Sequence, residues 1–161
     1  MFYPFVMKHR SSIKNLLLAD DDMDEILFFK LAIKQLDLDI QFTSVVDSEK
    51  LMLQLEQLES PASHVIFLDL NMPRMNGFRC LEEIKSNKTF SKIPVVVYST
   101  SYDSENAEKL YKKGAHYYIC KPASFEELKK VINRTITVLQ SDKNQPPQGK
   151  FYINNYMAEV E

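Results

Sequence analysis

The 161-residue chain carries 20 Lys and Arg against 22 Asp and Glu, a formal charge of −2, and 45% of its residues are hydrophobic. That length and apolar content suit one ordinary core, and the near balance of charge gives no reason to expect nucleic acid or a membrane as partner through bulk electrostatics. Cys80 and Cys120 stand in no metal-like spacing and read as small apolar side chains of a reducing compartment. Met1–Met7 is apolar but too short for a signal or a membrane span, and Lys8, His9 and Arg10 follow it where a signal would have them precede. Met7 could equally be the start. The expectation is a soluble, cytoplasmic protein.

In chain order, short apolar runs alternate with longer amphipathic ones. Lys14–Ala19 is an apolar run stopped by three aspartates, as a buried strand would be, and Asp22 could cap a helix bearing Ile26, Phe29, Ile33 and Leu36. Ile40–Val46 is β-branched and aromatic, a second strand. Asp47 or Ser48 opens a helix with Leu51, Leu55 and Leu58 on one face, which Ser60-Pro61 breaks. His64–Leu68 is the third strand and ends at Asp69. After Asn71–Asn76, Gly77 leads into a helix with Phe78, Leu81 and Ile84.

Ile93–Tyr98 is the fourth strand, with Pro94 near its start, where a missing donor is tolerated. Asp103 or Ser104 starts a helix through Ala107, Leu110 and Tyr111 that Gly114 closes as a left-handed cap. His116–Cys120 is the fifth strand. Ser124-Phe125-Glu126-Glu127 is a capping box for a helix carrying Leu128, Val131, Thr135 and Leu139. After Gln140 the composition turns to that of a linker, and Phe151–Glu161 is an aromatic tail, either docked or disordered. The expected organisation is an extension over 1–12, one domain over 13–140, and a linker and tail over 141–161.

Five such alternations imply an α/β fold with a five-stranded parallel sheet and helices on both faces. Ligands of such sheets bind beyond the carboxyl ends of the strands. Asp20, Asp21 and Asp22 follow the first strand, Asp69 the third, Ser99 and Thr100 the fourth, Lys121-Pro122 the fifth. Carboxylates gathered there repel unless a cation neutralises them, and oxygen donors without nearby His or Cys suit Mg²⁺. A carboxylate is also a nucleophile toward phosphorus. A metal ion on one side, Lys121 on the other and the Ser99 hydroxyl would cradle the phosphoryl oxygens.

The segments LLLADDD (Leu16–Asp22), VIFLDLNMPRMNG (Val65–Gly77), PVVVYSTS (Pro94–Ser101) and GAHYYICKP (Gly114–Pro122) resemble those of response-regulator receiver domains, the phosphoacceptor half of two-component signalling, and among them the chemotaxis-type single-domain regulators. The resemblance runs from Ile13 to Leu139. It implies a flavodoxin-like doubly wound (βα)5 fold with strand order 2-1-3-4-5. It implies Asp69 as phosphoacceptor, Asp21 as direct metal ligand, Asp20 acting through water, and the backbone carbonyl of Asn71 as a further metal ligand. Ser99 and Tyr118 match the switch pair and Lys121 the phosphate-contacting lysine, with a cis bond at Lys121-Pro122. Pro73 and Gly77 shape the loop after Asp69. Thr100 departs from the small residue usual there. Asn71 and Ser101 stand at positions that influence acyl-phosphate hydrolysis.

The implied cofactor is Mg²⁺. The implied partners are a sensor histidine kinase or histidine phosphotransfer protein as donor and a protein as output target, with no direct DNA binding. The chain would act as a monomer or a phosphorylation-dependent homodimer, and as a switch rather than an enzyme. Two rivals stand beside this reading. A phosphatase of the haloacid dehalogenase type would need a second aspartate where Asn71 stands. A pseudo-receiver would bind partners without being phosphorylated.

Overall fold

The computed structural model describes residues 12–72 and 76–153. The apolar runs become parallel strands because neither of their faces meets water. In β1 (Asn15–Ala19), β3 (His64–Leu68) and β4 (Val95–Ser99) nearly every residue is buried. With β2 (Gln41–Val45), β5 (Tyr117–Cys120) and the two-residue β6 (Tyr152–Ile153), the sheet of the described residues runs β2-β1-β3-β4-β5-β6, all pairs parallel. The expected order 2-1-3-4-5 holds. The expected five strands are six, because the tail adds a strand beside β5.

Alternate residues of each strand face opposite layers. On one face, Leu17, Ile66, Leu68, Val95 and Val97 pack under α2 (Ser48–Glu56), α3 (Gly77–Ser86) and α4 (Ser104–Lys112) through Leu51, Leu55, Leu81, Ile84 and Leu110. On the other, Leu16, Leu18, Val65, Phe67 and Val96 meet α1 (Met23–Gln35) and α5 (Phe125–Ser141) through Phe29, Ile33, Val131, Ile132 and Leu139. The Gln140 side chain fixes the end of α5 to the start of the sheet, accepting from Ile13 N–H at 2.7 Å and donating to its carbonyl at 3.1 Å.

Local signals set the helix starts. Asp22, Asp47, Asn76, Asp103 and Ser124 each accept a backbone N–H of the first turn, removing an orphan donor. Gly114 ends α4 at φ 104°, a conformation costly for residues with a Cβ. Among the described residues no helix is long and apolar enough to cross a membrane.

Candidate functional site

Strand pairing carries Asp20 and Asp69 to the same rim. Asp20 N–H donates to the Val45 carbonyl at 3.0 Å and Asp69 N–H to that of Ala19 at 3.0 Å, so each residue continues the ladder past its strand. Both side chains are buried, while Asp21 beside them is exposed. One carboxylate oxygen from each of Asp20, Asp21 and Asp69 lies within 4.8 Å of the others. Asp20 Oδ1 accepts from Asp22 N–H at 2.9 Å and Asp69 Oδ1 from Asn71 N–H at 3.2 Å.

Lys121 follows β5, where its N–H donates to the Ser99 carbonyl at 2.7 Å. From there its Nζ reaches Asp20 Oδ2 at 2.9 Å and stands 3.7 Å from Asp69 Oδ2 and 5.3 Å from the centre of the Tyr98 ring. It also donates to Glu25 Oε2. The expected set of Asp20, Asp21, Asp69 and Lys121 therefore shares one pocket.

Burial holds the Asp69 carboxyl above the usual aspartate range; the Asn71 N–H and the Lys121 ammonium oppose this without cancelling it. Burial also draws the Lys121 ammonium downward, but Glu25 and Asp20 outweigh it and leave its pKa raised, so the lysine is held charged. Three carboxylates crowded round this pocket, two of them buried, are what a hard divalent cation neutralises, and the donors are oxygen only. The residues fit such an ion.

Ser99 is buried at the end of β4, where its side chain opposes the burial that raises the pKa of the Tyr118 hydroxyl. The Tyr118 hydroxyl donates to the Ser101 carbonyl at 2.5 Å. The Tyr118 ring is 1% exposed, with Tyr102, Phe151 and Tyr152 packed against it. It thus stands inward already, covered by the chain's own sixth strand. Thr100 is exposed, and its carbonyl accepts from Cys120 Sγ at 3.5 Å.

Gly77 is required by proximity. A Cβ there would lie 2.7 Å from Leu70 Cα and 2.9 Å from the Asp69 carbonyl oxygen, so any larger residue pushes on the backbone carrying Asp69. Pro73 lies outside the described residues. Asp22 caps α1 as expected, accepting from Asp24 N–H at 2.9 Å and Glu25 N–H at 3.3 Å. One expectation fails: the described residues contain no cis peptide bond, so Lys121-Pro122 is trans, the isomer favoured by about 0.5–1 kcal/mol in X-Pro bonds generally. Sequence reasoning also missed Glu25. Its signal was the spacing Asp22-x-x-Glu25, which reads as a capping box and so hides a side chain that turns to Lys121.

The family model described as "Response regulator receiver domain" matches residues 16–133. The response regulator Rcp1 of Synechocystis sp. is 29% identical over 123 residues, covering 74% of this chain and 84% of Rcp1. The crystal structure of the phosphorylated cyanobacterial phytochrome response regulator RcpA is similar, with a TM-score of 0.71 at 30% identity, over 84% of this chain and 100% of that one. The Mn²⁺-bound form of Rcp1 gives a TM-score of 0.68 at 25% identity, over 83% and 99% of the two chains.

Proposed function

Because the chain belongs to the response regulator receiver family, we propose that it is a phosphorylation-controlled switch in which Asp69 accepts a phosphoryl group from a phosphohistidine protein. The observation that carries this reading is the convergence of Asp20, Asp21, Asp69 and Lys121 in one pocket, where unneutralised charge is costly unless the pocket has a task.

Asp69 attacks phosphorus in line. A bond forms from its carboxylate oxygen to phosphorus as the donor's N–P bond breaks, and the imidazole nitrogen leaves with that electron pair. The Asn71 N–H on Oδ1 orients the carboxylate, and Lys121 supplies positive charge for the phosphoryl oxygens. Asp20, Asp21, Asp69 and the Asn71 backbone carbonyl would hold Mg²⁺. When bound, that ion supplies charge neutralisation for the carboxylates and the transferring group. Hydrolysis resets the switch: water oxygen bonds to phosphorus and the Asp69 carboxylate leaves.

The readout runs through Ser99. A phosphoryl oxygen that draws the Ser99 hydroxyl toward Asp69 changes what that hydroxyl presents to Tyr118, so phosphorylation biases the contacts joining β4, Tyr118 and the Ser101 carbonyl. The donor docks on α1. Met23, Leu27 and Leu31 recur at helical spacing beside Phe28, all exposed, and their stripe begins one residue after the cap Asp22. An apolar helix face beside the pocket suits a helical donor carrying its phosphohistidine. The output partner is a protein, and the setting is the cytoplasm.

Acetyl phosphate with Mg²⁺ should add one phosphoryl mass to the intact chain and none to Asp69→Asn. A wild-type mass that stays unchanged, with the fold intact, sinks the reading in favour of a phosphorylation-independent interaction module.

A further inference from the structure

Glu25 stands at the third position of α1, where Asp22-x-x-Glu25 spacing ordinarily sends the Glu side chain back to the cap residue's N–H. Here that N–H is taken by Asp20 Oδ1 at 2.9 Å, and the Glu25 carboxylate binds the Lys121 ammonium instead. The lysine is thus shared among Glu25, Asp20 at 2.9 Å and Asp69 at 3.7 Å, and Asp69 holds the longest of the three contacts. The Glu25 side chain is about a third exposed, whereas that of Lys121 is 10% exposed and that of Asp20 is buried. Of the lysine's partners, Glu25 is the one whose separation water can ease.

From this geometry we infer that Glu25 is a positioning residue that retains Lys121 in the resting state, competing with the phosphoryl group on Asp69 for the same ammonium. The inference rests on the phosphoacceptor reading above and adds a residue to it. Before phosphorylation, Asp69 carries one charge and Lys121 stays with Glu25. A phosphorylated Asp69 presents more charge and more acceptor oxygens, and the lysine must then weaken its Glu25 contact to follow them. Glu25 therefore opposes the switched state through Lys121, while its own charge favours a cation in the pocket.

Opposite effects on an anion and a cation are the signature. Beryllofluoride, a tetrahedral mimic that adds to a carboxylate as a phosphoryl group does, is titrated in saturating Mg²⁺, with tyrosine fluorescence or amide NMR shifts as readout. Mg²⁺ is titrated separately. Glu25→Gln is expected to bind beryllofluoride roughly fivefold to tenfold more tightly than wild type, the size of one partly buried ion pair. Its Mg²⁺ affinity should be equal or weaker. Glu25→Asp, which keeps the charge but shortens the reach, should also tighten beryllofluoride.

In a Lys121→Met background the gain from Glu25→Gln should vanish, since the competition acts through that lysine. Unchanged or weaker beryllofluoride binding by both Glu25 variants overturns the inference, as does a gain that survives Lys121→Met. A wild type that binds no beryllofluoride overturns the phosphoacceptor reading, and this inference with it.

Discussion

Strand β5 serves two regions built from opposite chemistry. Just past its carboxyl end, Lys121 enters a pocket of four carboxylates, Asp20, Asp21, Glu25 and Asp69. Along its edge, Tyr118 lies in a seam of rings: Tyr102 stacks on Tyr152 at 4.3 Å, Tyr111 meets Phe151 edge-on at 5.3 Å, and Tyr118 N–H donates to the Phe151 carbonyl at 2.9 Å. Tyr111 donates to the Pro146 carbonyl at 2.8 Å, and Gln145 Nε2 to the carbonyls of Tyr111 and Ala115, so the approach to β6 is tied down as well. Gathering like charge costs folding free energy, and burying aromatic area with its hydrogen bonds satisfied returns it. The seam can stabilise the domain while the pocket remains strained by its own charge, ready for a cation and an anion.

That contrast makes the two regions separable by substitution. The largest loss of stability is expected in the seam. Phe151→Ala should cost about 3–5 kcal/mol by the usual scale for a buried aromatic, read from the denaturant midpoint. Phosphoryl uptake from acetyl phosphate should persist below that midpoint. A folded Phe151→Ala protein that takes up no phosphoryl group would show that the regions are one unit.

Next comes acid. His116 precedes β5, at the opposite end from Lys121, and burial, helped by the Lys85 charge, lowers its pKa from 6.5 to about 4. The folded value lies below the unfolded one, so the protonated form belongs to the unfolded chain. Its contribution is complete above pH 6.5 and lost as the pH falls toward 4, about 3 kcal/mol in all. His116→Phe should flatten this part of the pH–stability curve. An unaltered slope would place the acid sensitivity elsewhere.

Gly77→Ala should cost about 2 kcal/mol, as overpacking against backbone does, and should weaken divalent-ion binding because it displaces Asp69 and Leu70. The smallest effect has the opposite sign. Asp69→Asn removes a charge that burial disfavours and keeps an oxygen for the Asn71 N–H, so it should stabilise the domain by about 1 kcal/mol. A destabilised Asp69→Asn would mean that Lys121 already neutralises the pocket, and the contrast with the seam would fail.

Much of this was legible in the chain because its signals are local. Apolar runs without alternation marked β1, β3 and β4, and an Asp or Ser before four of the five amphipathic stretches marked a helix start, while Asn76, the cap of α3, was read as part of the preceding loop. Strand ends shifted by a residue or two: β4 begins at Val95 rather than Ile93, because Pro94 offers no donor to the ladder. The sixth strand was missed, since Tyr152–Ile153 is too short to carry a period and follows a stretch of linker composition. Its pairing comes from the open edge of β5 and from rings that sit forty residues and more away in sequence, Tyr102 and Tyr111.

By itself, the order of residues determined the three-layer architecture and the rim at which Asp20, Asp21, Asp69, Ser99 and Lys121 collect, because each strand of a parallel sheet delivers its following residue to the same side. Only the folded molecule decided how the charges are shared. Whether the Lys121 ammonium turns to Glu25, Asp20 or Asp69 depends on a few ångströms between elements 50 to 100 residues apart, and so does the covering of Tyr118 by the tail. Periodicity encodes which face a residue takes along its own segment. The competition among partners on different segments is fixed by their packing.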